Sequence, residues 1–275
     1  PDADRVGAAV KNNEGEWVLL NGNQTALMFV YYLIIRWKEL GKINGKEYIV
    51  KTIVTTETIK TIAERNGVEM YDVYTGFKWI ANVMRENEGK KNYIGGGEES
   101  YGFLCEDFVR DKDAVSACVI LAEIAAWAKD QGLSLYQLLQ KIYVEYGFSK
   151  EKGISVVKKG KSGAEEIEAM MKKFRENPLT EIAGSKVTYF YDYSTLKGKD
   201  YAENETVTLD MPTTSNVLQY FTEDNTKVSI RPSGTEPKIK FYCEVHSKVK
   251  SIDELPEAEK AAEEKINQIK ASLGI

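Results

Sequence analysis

Short apolar runs separated by turn residues alternate with longer stretches of helical spacing through the first half of this chain. Residues 17–20 (Trp-Val-Leu-Leu) predict a strand. Gln24 to Leu40 is apolar nearly all round and predicts a buried helix, ended by Gly41 and Asn44-Gly45. Tyr48 to Val54 is rich in β-branched residues and predicts a strand. A helix capped by Thr55 or Thr56 follows, with Ile59, Ile62 and Ala63 inward and Gly67 at its end. Glu69 to Val73 predicts a strand. Thr75-Gly76 opens a helix with Phe77, Ile80, Ala81 and Met84 inward. Tyr93-Ile94 predicts a strand running into Gly95-Gly96-Gly97, before helices over 113–131 and 135–146. Such alternation predicts a parallel or mixed sheet covered by helices.

The pattern changes near Gly147 to Gly153. A strand over 153–158 leads to a helix over 162–176, stopped by Asn177-Pro178. Strands over 186–193, 216–221, 227–230 and 238–246 follow. A final helix over 256–273 carries Leu255, Ala258, Ala262, Ile266, Ile269 and Leu273 at steps of three or four, with Pro256 in its first turn. The expected fold is therefore α/β: a helix-covered sheet domain followed by a smaller α+β domain.

At about 100–200 residues per domain, a chain of this length holds two. With 43% hydrophobic and 29% charged residues it can bury a core. The formal net charge of -5, with mixed signs, argues against non-specific nucleic-acid binding. Cys105, Cys118 and Cys243 are few, odd in number and far apart, so reduced thiols of a cytoplasmic protein are expected. The apolar stretch 26–37 contains Arg36 and is too short to span a bilayer. No signal peptide is visible, and a start at Pro1-Asp2 reads as a fragment or processed product. The lone histidine, His246, has no partner cysteine or nucleophile motif beside it and reads as structural.

Four segments carry chemistry. In Asp2-Ala3-Asp4-Arg5, two carboxylates at i and i+2 can turn toward one hard cation such as Mg²⁺, with Arg5 holding an anion or orienting a carboxylate. Thr75-Gly76 offers helix-start N–H groups to an anion or a sugar hydroxyl. In Gly95-Gly96-Gly97-Glu98-Glu99-Ser100-Tyr101-Gly102, the glycines suit close backbone approach to a ligand. Glu98 and Ser100 can face one side and hold two vicinal hydroxyls. A flexible loop with solvated acids is the alternative. Just beyond, Lys112 lies between Asp111 and Asp113. It reads as a surface charge cluster, a phosphate contact or a proton shuttle, the last requiring a lowered pKa. In Arg231-Pro232-Ser233-Gly234-Thr235-Glu236-Pro237-Lys238, Arg231 can fork onto a phosphate. Ser233 and Thr235 donate hydroxyls, and Gly234 allows a turn that gathers N–H groups into an anion nest.

In order and wide spacing these four segments resemble the α-D-phosphohexomutase superfamily, over essentially the whole chain. The resemblance implies that Asp2, Asp4 and Arg5 belong to a metal loop of the form Asp-x-Asp-x-Asp-Arg, here one Asp short. It implies that Thr75, Gly76, Glu98 and Ser100 face the sugar. Lys112 would serve proton transfer or phosphate contact, and Arg231, Ser233, Gly234 and Thr235 would clamp phosphate. No segment resembles the family's Ser-His loop. The implied organisation is a remnant of the metal-loop domain (1–17), a sugar-binding domain (18–148) and a phosphate-binding domain (149–275). The domain carrying the phosphorylated serine would lie outside this chain. The implied activity of the complete enzyme is Mg²⁺-dependent exchange of hexose 1-phosphate and hexose 6-phosphate through that phosphoserine and a bisphosphorylated sugar. The expected partners are hexose phosphates and the absent N-terminal domains, without nucleic acid or membrane. Mannose or pentose phosphate specificity, and a sugar-phosphate-binding module without turnover, stay open as alternatives.

Overall fold

A computed structural model describes residues 2–275 apart from 159 and 235. It divides into two compact units, residues 1–148 with 248–253, and residues 149–247 with 254–275.

The first unit begins with a hairpin of β1 (Ala8–Lys11) and β2 (Trp17–Leu20). Helix α1 (Gly22–Glu39) starts in a capping box: Asn21 accepts from the Gln24 N–H, and Gln24 accepts in return from the Asn21 N–H. Its first three turns are buried as the apolar run predicts, while Arg36 and Lys38 occupy the last turn, where positive charge suits the helix dipole. There follow β3 (Glu47–Thr52), α2 (Thr58–Arg65), β4 (Glu69–Val73), α3 (Phe77–Asn87), β5 (Asn92–Gly97), β6 (Phe103–Cys105), α4 (Ala114–Asp130) and α5 (Leu135–Tyr146).

The sheet order is β4-β3-β5-β6. β3 runs parallel to both neighbours, and every one of its residues is buried, as expected of a strand between helical layers. β6 was not anticipated. It is three residues long, turns back antiparallel on β5, and makes the sheet mixed. A core of Tyr48, Val50, Val73, Phe77, Ile80, Met84, Tyr93 and Leu104 joins α3 to the sheet.

The structure corrects the reading of the three glycines. They form the buried end of β5 rather than a ligand-approach loop. A Cβ on Gly96 would sit 2.3 Å from the Val50 carbonyl oxygen, and one on Gly97 2.5 Å from the Phe103 ring. Close packing of neighbouring strands demands glycine there.

The second unit continues through β7 (Phe148–Val157), α6 (Gly160–Glu176), β8 (Glu181–Ile182), β9 (Ser185–Asp192), β10 (Lys197–Asp200), β11 (Glu205–Thr208), β12 (Leu218–Thr222), β13 (Lys227–Pro232), β14 (Lys238–Ser247) and α7 (Leu255–Leu273). An eight-stranded sheet has the order β11-β10-β9-β12-β13-β14-β7, with β8 on β9. Ile167, Met171 and Phe174 of α6 are buried, as are Leu255, Ala262, Ile266, Ile269 and Leu273 of α7. Both helices contact β14. Helix α6 begins at Gly160, two residues before the expected start at 162.

Candidate functional site

In the first unit, β3, β4 and β5 all end at the same edge of the sheet, which is where open α/β sheets take ligands. Three of the four sequence segments meet there. The carboxylate of Glu98, buried just past β5, accepts from the Gly76 N–H at 2.8 Å. That N–H belongs to the residue capping α3, so the Glu98 side chain takes one of the donors a helix start leaves unpaired. The Glu98 N–H donates to the Gly102 carbonyl at 2.8 Å and folds 98–102 into a tight loop. Thr75 and Ser100 flank it, half-buried.

Lys112 crosses this loop. A Cβ on Gly102 would lie 2.7 Å from Lys112 Cδ and 3.5 Å from Glu98 Oε2. The Lys112 ammonium reaches Asp4 at 3.1 Å and Asp111 at 3.3 Å, and stands 5.9 Å from the centre of the Phe77 ring. Backbone bonds hold the N-terminal segment in place: Val6 N–H to the Tyr101 carbonyl and Ala114 N–H to the Ala3 carbonyl, both 3.1 Å. Two contacts, Asp4–Lys112 and Gly76–Glu98, thus lie on either side of Gly102, drawn from four places in the chain. Arg5 is exposed, its Nε 3.9 Å from Asp4, and Asp2 is exposed beside it.

The Lys112 ammonium and the Asp4 carboxylate each stabilise the other's charged form. The hydrogen bond from Lys112 holds the Asp4 carboxyl below its ordinary value. Burial pulls Lys112 downward, but Asp4 and Asp111 outweigh it and leave the ammonium above the usual lysine value. The shift runs upward, opposite in direction to the lowered value the proton-shuttle reading calls for. Among the described residues no cluster of three or more His, Cys, Asp or Glu is placed to hold a metal. Asp2 and Asp4 are hard oxygen donors on either side of Ala3, whose φ of 50° makes a sharp turn. Both are oxygen donors of the chemical kind that Mg²⁺ takes.

Sequence reasoning missed the residues behind this group. Lys51, 1% exposed, is the penultimate residue of β3, with its ammonium 2.7 Å from Asp72 and 2.9 Å from Glu57. Thr52 donates to Glu99 at 3.4 Å, and Asn23 accepts from the Thr56 N–H at 3.0 Å. The available signal was a single lysine inside the apolar run Tyr-Ile-Val-Lys-Thr-Ile-Val, since a buried charge needs partners.

In the second unit, Arg231, Ser233 and Gly234 lie where β13 turns into β14, and Thr235 falls outside the described residues. The Ser233 N–H donates to the Lys238 carbonyl at 2.8 Å, and the Glu236 N–H donates to Ser233 Oγ at 3.3 Å. Lys238 pairs with Glu236. Arg231 and Ser233 are half-buried and Gly234 is exposed. A Cβ on Gly234 would meet nothing within 4 Å, so no close contact imposes glycine at this point. Against this turn and α6 opens a cleft of about 610 Å³ lined by Ile167, Met171, Arg175, Ser233, Gly234 and Lys238, among others. Arg175, which the sequence did not single out, is anchored to Asp192 at 2.9 Å and Asn216 at 2.8 Å. His246 is bound to Glu244 at 2.7 Å, and Glu244 forms a buried ion pair with Lys227 at 2.9 Å.

The family model for phosphoglucomutase/phosphomannomutase α/β/α domain III matches residues 21–146, and that for the C-terminal domain matches residues 155–262. The chain belongs to the phosphoglucomutase/phosphomannomutase family. It is 38% identical to a phosphoglucomutase of Staphylococcus aureus (strain MRSA252) over 242 residues, which are 88% of this chain and 43% of that protein. It is 33% identical to a phosphoglucomutase of Staphylococcus haemolyticus over 246 residues, 90% of this chain and 44% of that one. Among solved structures it resembles the open form of parafusin, a phosphoglucomutase of Paramecium, with a TM-score of 0.60 and 18% identity, covering 100% of this chain and 45% of that one. A phosphoglucomutase/phosphomannomutase family protein of Burkholderia thailandensis gives 0.57 at 16% identity, covering 99% and 45%. The two structural matches speak for the fold alone. This family member thus spans less than half the length of the relatives it matches.

Proposed function

We propose that this chain supplies the sugar-holding and phosphate-holding parts of a phosphohexomutase that interconverts hexose 1-phosphate and hexose 6-phosphate, with glucose as the hexose. The observation that carries the proposal is the pair of contacts Asp4–Lys112 and Glu98–Gly76, both beside Gly102 at the carboxyl edge of the first sheet. One oxygen of Glu98 is committed to Gly76. The other is an acceptor suited to a sugar hydroxyl, with Ser100 two residues on as donor or acceptor for its neighbour. Lys112 places a positive charge beside them for a phosphoryl group. In the second unit Arg231, Ser233 and Gly234, with Thr235, form the clamp for the phosphate that is not reacting. Glucose is favoured because the curated relatives are phosphoglucomutases.

In the complete enzyme a phosphoserine outside this chain donates its phosphoryl group to the sugar monophosphate, and the resulting bisphosphate returns the other one. Asp2 and Asp4 would give two oxygen ligands to a Mg²⁺, which neutralises charge on the transferring group when bound. This chain's own residues orient the sugar by its hydroxyls and hold its distal phosphate, which converts binding energy into alignment. The 275-residue chain by itself binds sugar phosphate without turning it over.

The test is an assay of glucose 1-phosphate conversion by the isolated chain and by the full-length protein, with mannose and pentose phosphates in parallel. Conversion only by the full-length protein, fastest with glucose, is expected. Turnover by the isolated chain would refute the division of labour, and faster turnover of mannose phosphate would refute the glucose assignment.

A further inference from the structure

Beneath the sugar segment lies a contact that no motif explains. The first turn of α1 meets the backbone of residues 99–101 with no side chain between them. A Cβ on Gly22 would sit 2.0 Å from the Glu99 carbonyl oxygen, 2.7 Å from its carbonyl carbon and 2.7 Å from the Tyr101 nitrogen. The φ of Gly22 is not positive, so glycine is present for space and not for backbone freedom. The crossing loop is held in turn. Tyr101 has a φ of 73°, a region a tyrosine enters only where its surroundings fix it. Its carbonyl accepts from the Val6 N–H, and Thr52 donates to the Glu99 side chain.

The neighbours of Gly22 secure the helix end itself. Asn21 and Gln24 form the capping box, Asn23 accepts from the Thr56 N–H, and Gln24 Nε2 donates to Tyr143 at 3.3 Å. Four consecutive residues, Asn-Gly-Asn-Gln, therefore tie the start of α1 to its own backbone, to the 99–101 loop, to the segment after β3 and to α5. A core helix end is rigid where a loop is not, and a site held on rigid elements keeps its geometry.

We propose that Gly22 is a positioning residue for the sugar contact: by letting the 99–101 backbone rest directly on the first turn of α1, it sets where Glu98 and Ser100 point. The inference rests on the reading of 98–100 as the sugar-holding segment. An alanine methyl at position 22 cannot be accommodated without moving that backbone by more than an ångström, because 2.0 Å lies far inside contact distance. The Tyr101 carbonyl is tied to Val6 and the Glu98 N–H to Gly102, so the displacement falls within Glu98 to Tyr101.

The experiment compares the wild-type chain with Gly22→Ala by backbone amide NMR, and measures glucose 6-phosphate binding by titration calorimetry. Expected are local shifts at Glu98 to Tyr101 before any ligand is added, and a dissociation constant raised at least tenfold. The amides of the second unit should not move. A purely structural glycine would lower the melting temperature and leave the 98–101 amides and the affinity alone, and that result overturns the proposal. If wild type binds no glucose 6-phosphate, the functional reading fails, and the ligand-free amide comparison still decides this inference. If Gly22→Ala does not fold, Asn21→Ala, which loosens the same turn without adding an atom, serves instead. Faster amide exchange at Glu99 to Tyr101 and a severalfold weaker affinity support the positioning role. No change in either refutes it.

Discussion

Single side chains in this chain divide into those that announce themselves in the sequence and those that only a fold brings into play. Glu98 was singled out as an acid two residues from a serine, beside glycines, with a flexible loop of solvated acids as the alternative. Its bond to Gly76 was not legible, because nothing local couples residues separated by a helix and a strand. Glu98→Ala removes a charged acceptor from the half-buried Gly76 N–H together with the proposed hydroxyl contact. Charged hydrogen bonds contribute about 2 kcal/mol, so glucose 6-phosphate affinity should fall roughly thirtyfold by calorimetry. Lys112 was read as a possible proton shuttle from residue type alone. Its ion pair with Asp4 joins positions 108 residues apart and could not be inferred from spacing. Since that bond is the leading reason the Asp4 carboxyl is held down, Lys112→Met should bring the Asp4 pKa back up. A carboxyl-carbon NMR titration reads this directly, and an unmoved Asp4 would contradict the assignment.

Helices with full apolar stripes and long buried strands were legible, since periodicity reports burial whatever the topology. The elements that escaped are short, polar or both: β1, β6, β8, β10 and β11. β10 and β11 read Lys-Gly-Lys-Asp and Glu-Thr-Val-Thr and lie toward one edge of the larger sheet, where charge discourages further pairing. Caps were partly legible. The α2 cap was assigned to Thr55 or Thr56, whereas Glu57 holds the position and Thr56 Oγ1 accepts from the Thr58 N–H. Helix α5 shows what a full cap contributes: Ser134 and Gln137 satisfy each other's backbone N–H groups. Ser134→Ala should cost about 1 kcal/mol and lower the thermal midpoint of its unit by roughly 2–4 °C. A scanning-calorimetry trace unchanged in that variant would show that α5 needs no cap.

At the scale of the molecule, the succession of an α/β unit and a strand-rich unit was legible from the change in pattern near Gly147 to Gly153, while strand order was not, since pairing partners leave no periodic trace. Each unit carries its own buried electrostatics, and in the second these respond to pH. Burial pulls His246 down, yet Glu244 and Glu151 outweigh burial and Lys227, leaving its pKa raised above 6.5. A group whose pKa is raised by folding stabilises fully below its unfolded pKa and loses that contribution as pH rises through the folded one. The melting temperature of the second unit should therefore decline as pH is raised from about 6 through and beyond neutrality, and His246→Gln should flatten that slope. Glu244, held well below the usual carboxylate range despite burial by Lys227 and His246, acts in the opposite sense. Its contribution is complete above the unfolded carboxylate value and is lost only on strong acidification. Removing it by Glu244→Ala disrupts a buried pair and should destabilise the unit by about 3 kcal/mol in denaturant titration.

Among the described residues two lysines are buried, Lys51 in the first unit and Lys227 in the second, at 1% and 2% exposure. An amine-acylating reagent therefore reaches these two only when the surrounding sheet opens. Mass spectrometry of the two peptides over time would give a separate clock for each half of the protein, with no engineered label.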